Sequence, residues 1–215
     1  MEIRRADLKD IKFVLKAIIE SEKSGTERLS YIKIFSIPEA EVKEIIRNVL
    51  KENIPGQQYC LSNFLIAEIE GEYAGACCSW VEGETGLSSS LIRANLLLDF
   101  IDHKYFIKAK SLLKIATEIG FPRKTGAIQI ENVFVENKFR RKGISGYLIE
   151  KHIHIQKGKA LIPTVQIILS KINENALKAY IKSGFHITAE RTSDKKEILD
   201  ILPSNTNVLM EKKIK

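Results

Sequence analysis

The sequence predicts a mixed α/β fold with one central sheet covered by helices. Two patterns and one bulk property predict it. Apolar residues recur at helical spacing in some windows and at alternate positions in others. The strand-like windows begin as a hairpin and end as a strand–helix–strand–helix–strand unit, an order that favours a single sheet with helices on its faces. The 215 residues, 44% hydrophobic and 28% charged, are enough for one domain with a sizeable core and short for two.

Residues 2–5 read as a short strand. Asp7 is a plausible cap for a helix that places Ile11, Val14, Leu15, Ile18 and Ile19 on one face. A polar stretch follows over 21–28. Pro38 suits the first turn of a second helix, whose apolar face is Val42, Ile45, Ile46, Val49 and Leu50. Pro55 and Gly56 break the chain before a strand at 63–69. Glu70 and Gly71 make a turn, and 73–81 returns as the second arm of the hairpin. Ser88, Ser89 and Ser90 offer helix caps. A long helical pattern, in one or two pieces, then runs to about Ile119 and stops at Gly120 and Pro122. A strand at 127–135, a basic turn and a helix over 145–156 come next. Pro163 opens a strand at 164–170. A short helix over 175–183 ends at Gly184, a residue suited to the left-handed position after a helix. Two strands, 185–192 and 207–214, complete the chain.

The net charge is +7, with most lysines spread along the chain and one cluster at Lys138, Arg140, Arg141 and Lys142. The spread fits solubility rather than a nucleic-acid surface. The cluster has a single aromatic neighbour, Phe139, and no interleaved stacking array, so nucleic acid is not an expected partner. No apolar run approaches the ~20 residues needed to span a bilayer, the first residues lack a signal-peptide stretch, and no membrane partner is expected. Three cysteines, two of them adjacent, do not make a disulfide framework or a zinc site. A cytoplasmic location is the expectation.

The most informative segment is 128–151, IQIENVFVENKFRRKGISGYLIEK. A strand feeds a turn of Arg140, Arg141, Lys142, Gly143, Ile144, Ser145 and Gly146, and a helix starts there. Backbone N–H groups at a helix start have no partner within the helix, and the helix dipole adds partial positive charge. Glycine and serine let an anion come close to that backbone, and the arginines and lysine add charge. These are the requirements for holding a pyrophosphate. The turn is not a Walker A loop, because no Gly-Lys-Ser/Thr follows, and its glycine spacing is wrong for a dinucleotide fingerprint.

This segment resembles the GNAT (GCN5-related N-acetyltransferase) superfamily, whose turn between the fourth strand and the next helix reads Arg/Gln-x-x-Gly-x-Gly/Ala. Arg140, Gly143 and Ser145 occupy those positions, with Ser145 departing from the last. A second segment, 173–185, resembles the family's Asn-x-x-Ala-x-x-x-Tyr-x-x-x-Gly-Phe stretch, with Asn173, Ala176, Tyr180, Gly184 and Phe185 in place. The resemblance covers 125–192 well, and 84–120 looks like a helical insertion between the third and fourth strands of one domain, 1–215.

The resemblance implies a mostly antiparallel sheet of six or seven strands that splays between 127–135 and 164–170. It implies acetyl-CoA as co-substrate, no metal, and direct attack of an acceptor amine on the thioester. The backbone around 141–146 would hold the pyrophosphate, that of Val133, Phe134 and Val135 the pantetheine arm, and Asn173 and Ala176 would lie against the same ligand. Tyr180 would protonate the leaving thiolate. Glu131 is a candidate general base or else a member of an ion pair at the open end of the sheet, and unbroken alternation would put it on one face with Gln129, Val133 and Val135. The rival reading is a binding module on the same fold that senses acyl-CoA without catalysis.

The remaining residues are less specific. His152 and His154 are two apart and face different ways on a helix, so they do not form a metal pair. Cys77 and Cys78 point to opposite faces of a strand. The insertion carries more apolar residues than one exposed helix would, so it must be buried against the sheet beside the acceptor site or against a second copy in a homodimer. Asp102 and Tyr105 are its candidate ligands for the acceptor, a small-molecule or peptide amine.

Overall fold

The computed structural model describes residues 1–214. The chain runs β1 (Glu2–Arg5), α1 (Ile11–Glu22), α2 (Ser30–Phe35), α3 (Glu39–Glu52), β2 (Phe64–Ile69), β3 (Glu72–Val81), α4 (Ser89–Phe100) and α5 (His103–Ala116). It continues with β4 (Ile128–Val135), α6 (Ile144–Gln156), β5 (Thr164–Ser170), α7 (Glu174–Lys182), β6 (His186–Thr192), α8 (Ile198–Ile201) and β7 (Thr206–Lys213). The strands form one seven-stranded sheet in the order β1-β2-β3-β4-β5-β7-β6. Every neighbouring pair is antiparallel except β4 and β5.

The local signals act where the sequence puts them. Asp7 accepts from the Lys9 N–H and caps a short 3-10 turn that leads into α1. Pro38 stands immediately before α3, and Ser88 caps α4. Two helices were not read from the sequence. α2 and α8 span six and four residues, too short for a periodic signal, and neither has a side-chain cap.

One face of the sheet packs against α1, backed by α3, with Trp80, Phe64, Ile66, Ile18, Ile46 and Leu50 in its core. The other face packs against α6 and α7, with Ile128, Ile130, Leu148, Ile149, Val165 and Met210. Cys77 and Cys78 are buried on opposite faces. The insertion is buried by a third route. Ile92, Leu96 and Leu97 of α4, Ile101 just after it and Ala109 of α5 join the core of the helical face. There α4 lies on α3, and α5 on α2 and α8. It packs on the N-terminal helices rather than directly on the sheet. Leu91, Leu98 and Ile107 stay exposed.

Two features of β4 position the site. First, β4 and β5 pair only at Ile128 with Val165 and Gln129 with Gln166; beyond that they diverge. The Gln129 amide donates to the Gln166 carbonyl at 2.9 Å at the point where they are still together. Second, the β3–β4 register gains a residue between Glu131 and Phe134, where Asn132 takes a left-handed conformation (φ 53°). Asparagine tolerates that region better than most residues. Its side chain fixes the bulge: Nδ2 donates to the Gln58 carbonyl at 3.0 Å and Oδ1 accepts from Ser21 Oγ at 3.1 Å. The alternation expected for β4 is therefore broken. Gln129 and Glu131 lie opposite Trp80 and Cys78 and face the helical side with them. Val133 and Val135 turn to the α6 side.

His152 is a buried residue of α6. It joins Ser79 Oγ at 2.7 Å through Nδ1 and the Cys77 carbonyl at 2.8 Å through Nε2. A neutral ring satisfies both bonds, with Nε2–H donating to the carbonyl. Burial holds its pKa down at about 4, below the ordinary 6.5. A group depressed in the folded state favours folding fully above the unfolded value and loses that contribution as pH falls from about 6.5 to about 4. The gap corresponds to roughly 3 kcal/mol. Urea unfolding across that window should show wild type losing more stability on acidification than His152→Leu; parallel losses would remove His152 as the cause.

Among the described residues, no helix is long and apolar enough to cross a membrane.

Candidate active site

The divergence of β4 from β5 opens a cavity of about 1160 Å³, lined by both strands, the basic turn, α7, the end of α1 and the segment before β7. The turn forms one end. Arg141 and Gly143 both take left-handed conformations (φ 65° and 77°), and α6 starts immediately after. None of the N–H groups of Arg141, Lys142, Gly143, Ile144, Ser145 and Gly146 meets an acceptor among the described residues; Tyr147 makes the first helical bond, to the Gly143 carbonyl. Six successive N–H groups are thus left at the positive end of a helix dipole, beside the cavity. This donor set fits a pyrophosphate. The basic side chains are arranged unevenly. Arg140 and Arg141 line the cavity, and Arg140 Nε donates to the Val135 carbonyl at 3.1 Å, tying the turn to β4. Lys142 instead lies over the Phe139 ring at 5.2 Å, so only its backbone belongs to the cradle.

The middle of the cavity runs along β4. The Glu136 N–H donates to the Ala74 carbonyl of β3. Alternation then directs the N–H groups of Val133 and Val135 away from β3, towards the gap where β5 has left the sheet. They are the free edge that an amide-bearing ligand arm could pair with. Phe134 faces the other way and stacks edge-on to Phe13.

α7 supplies the opposite wall. Asn173 caps it, accepting from the Ala176 N–H at 3.2 Å, and both residues line the cavity. Tyr180 lies one turn beyond Ala176. Its ring is buried beside Phe185, centroids 6.3 Å apart, and its hydroxyl, at the cavity wall, has no hydrogen bond to the described residues. Burial pushes its pKa up, with Cys77 and Glu131 adding to the rise, so the hydroxyl stays protonated and available to donate.

At the far end, Glu131 is not free. Its carboxylate is ion-paired to Arg123, whose guanidinium also lies over the Trp80 ring at 5.3 Å. A second carboxylate, missed in the sequence, shares this end of the cavity: Glu22, the last residue of α1. Tyr59 donates to Glu22 Oε1 at 3.1 Å, and the hydroxyls of Tyr59 and Tyr31 are 2.8 Å apart. Burial raises the Glu22 pKa; Arg93 opposes the rise and Glu131 adds to it. These residues lie far apart in the chain and share no local pattern, so no motif could have grouped them.

The expectation for Asp102 and Tyr105 is corrected. Asp102 is an exposed helix cap: it accepts from the Lys104 N–H at 3.0 Å and pairs with Lys104 Nζ at 2.9 Å. Tyr105 packs into the helical core with Lys104 over its ring. Neither lines the cavity. Asp102→Ala should weaken the start of α5 and lower the melting temperature slightly, while acceptor KM stays unchanged; a raised KM would put Asp102 back at the site.

The chain has the fold seen in solved structures of GNAT acetyltransferases. It is similar to an N-acetyltransferase from Staphylococcus aureus Mu50, with 18% identity and a TM-score of 0.66 over 98% of this chain and 100% of that one. A crystal structure of an acetyltransferase matches with 17% identity and a TM-score of 0.65 over 100% of both chains. A putative acetyltransferase from Salmonella typhimurium, solved with its cofactor acetyl-CoA, matches with 13% identity and a TM-score of 0.55 over 100% of this chain and 94% of that one. No protein-family model matches the sequence, and no curated protein matches it.

Proposed function

We propose that this chain is an N-acetyltransferase that moves the acetyl group of acetyl-CoA to an amine of a small molecule or peptide by direct attack. The observation that carries the reading is the row of six unpartnered N–H groups at the start of α6, opening into the same cavity as the free edge of β4 and the Tyr180 hydroxyl. In this reading the backbone from 141 to 146 holds the pyrophosphate, with Arg140 and Arg141 adding charge. The edge of β4 at Val133 and Val135 orients the pantetheine amides, and Asn173 and Ala176 form the facing wall.

Acetyl-CoA supplies an activated thioester, so the chain's own residues need only position it and move protons. An N–H of β4 polarises the thioester carbonyl, and Tyr180 passes a proton to the departing sulfur. The acceptor amine enters at the end of the cavity near the two carboxylates.

Calorimetry with acetyl-CoA, followed by a panel of amines with detection of free CoA thiol, tests the reading. Binding together with amine-dependent thiol release is the expected result. Binding without release for any amine would make the chain an acyl-CoA sensor, and the absence of binding would remove the reading.

A further inference from the structure

We propose that Glu22, rather than Glu131, takes the proton from the acceptor's ammonium group. This inference rests on the acetyl-transfer reading and deepens it.

Both carboxylates reach the cavity, but their surroundings differ. Glu131 is held in an ion pair with Arg123. The guanidinium occupies that carboxylate with a charge-assisted hydrogen bond, so it does not stand free to accept from an ammonium. Glu22 forms no ion pair among the described residues, and its one hydrogen bond is from Tyr59 to Oε1. Tyr31 donates in turn to Tyr59, at 2.8 Å. This relay fixes one carboxylate oxygen and leaves Oε2 without a donor among the described residues. Glu22 also ends α1, where the negative end of the helix dipole disfavours a carboxylate charge and so favours uptake of a proton.

The chain places this carboxylate through the bulge. Ser21, next to Glu22, bonds to Asn132, the residue whose left-handed turn bends β4 where β5 has left it. The charged and titratable groups that face Glu22 are Arg93 of α4, Glu131 of β4, Arg123 before β4, and Tyr59 with Tyr31 behind it. Arg93 comes from the insertion and forms no ion pair of its own among the described residues. The insertion thus contributes a positive charge that opposes the rise in the Glu22 pKa, rather than a ligand for the acceptor.

The protons balance. The ammonium gives one proton to Glu22, and the neutral nitrogen forms the C–N bond as the C–S bond breaks. Tyr180 gives its proton to the sulfur and recovers one from the nitrogen. One proton stays on the new amide, and Glu22 releases its own to water.

The test compares wild type, Glu22→Gln and Glu131→Gln, each loaded with acetyl-CoA. Ethylamine, a cation at neutral pH, is the probe acceptor. Carbon-13 NMR of labelled glutamate side chains follows the two carboxyls directly. The expected result has three parts. Acetyl-CoA affinity stays within about twofold in both variants. The signal lost in Glu22→Gln titrates well above the ordinary value of about 4.3. Ethylamine-dependent thiol release falls ~100-fold in Glu22→Gln, which also loses the acidic limb of the wild-type profile, and far less in Glu131→Gln. Full turnover in Glu22→Gln would overturn the proposal. So would a Glu22 signal that titrates with the exposed carboxylates, a result readable even if ethylamine is a poor acceptor. Failure of wild type to bind acetyl-CoA would be a different failure, that of the acetyl-transfer reading.

Discussion

Replacing Tyr180 with phenylalanine should lower turnover ~100-fold, the low end for loss of a general acid, while the KM for acetyl-CoA stays near wild type. The ring packs in the core beside Phe185, and phenylalanine keeps that packing. The hydroxyl has no hydrogen bond to the described residues, so its removal breaks no bond inside the folded chain and leaves no buried partner unsatisfied. Loss of activity would therefore report chemistry rather than misfolding. The separation of kcat from KM matters, because a group that acts only on the leaving sulfur contributes in the transition state and not in ground-state binding. Steady-state release of CoA thiol measures both. Full turnover with saturating acceptor would mean that solvent protonates the leaving thiolate.

Ser145→Glu should reduce CoA affinity at least 100-fold, about 2.7 kcal/mol, in a protein that folds as well as wild type. The position is chosen for two reasons. Ser145 is the second residue of α6, where a carboxylate interacts favourably with the helix dipole, by about 0.3–1 kcal/mol, so the helix should gain stability. The same carboxylate would occupy the anion cradle and repel a pyrophosphate. Gly143 is a poorer test, because its φ of 77° strains any side chain placed there. Ser145→Ala is the control. It keeps the N–H group and should bind CoA nearly as wild type does, since the cradle is made of backbone. Calorimetry and thermal melts together check the prediction. A stable Ser145→Glu variant with unchanged affinity would move the pyrophosphate elsewhere.

Both experiments address features that were legible in the linear chain. The turn from Arg140 to Gly146 and the segment from Asn173 to Phe185 are local. A helix start with small residues and no capping side chain exposes its N–H groups whatever surrounds it, and the spacing of Ala176 and Tyr180 sets them on one helix face. The larger strands and helices follow from the same local rules: alternation or helical spacing of apolar residues, bounded by Asp7, Pro38, Ser88 and Gly184. The failures have local causes too. α2 has six residues, too few to establish a period.

The acceptor end of the cavity was decided by tertiary structure. Alternation along β4 predicted Glu131 on one face with Val133 and Val135, and one left-handed residue, Asn132, reversed that. The sequence leaves two burials open for the insertion, beside the acceptor site or in a homodimer, and offers Asp102 and Tyr105 as acceptor ligands. In the fold Asp102 caps α5, and the insertion's charge near the site comes from Arg93. Glu22, Tyr31, Tyr59, Arg93, Arg123 and Glu131 meet only because the sheet brings α1, α2, α4 and β4 together. The sequence by itself determined the elements and the backbone cradle, which depend on neighbours a few residues apart. Which carboxylate stands free and which is neutralised depends on contacts between residues tens of positions apart, such as Ser21 with Asn132 and Tyr59 with Glu22, and these exist only once the chain has folded.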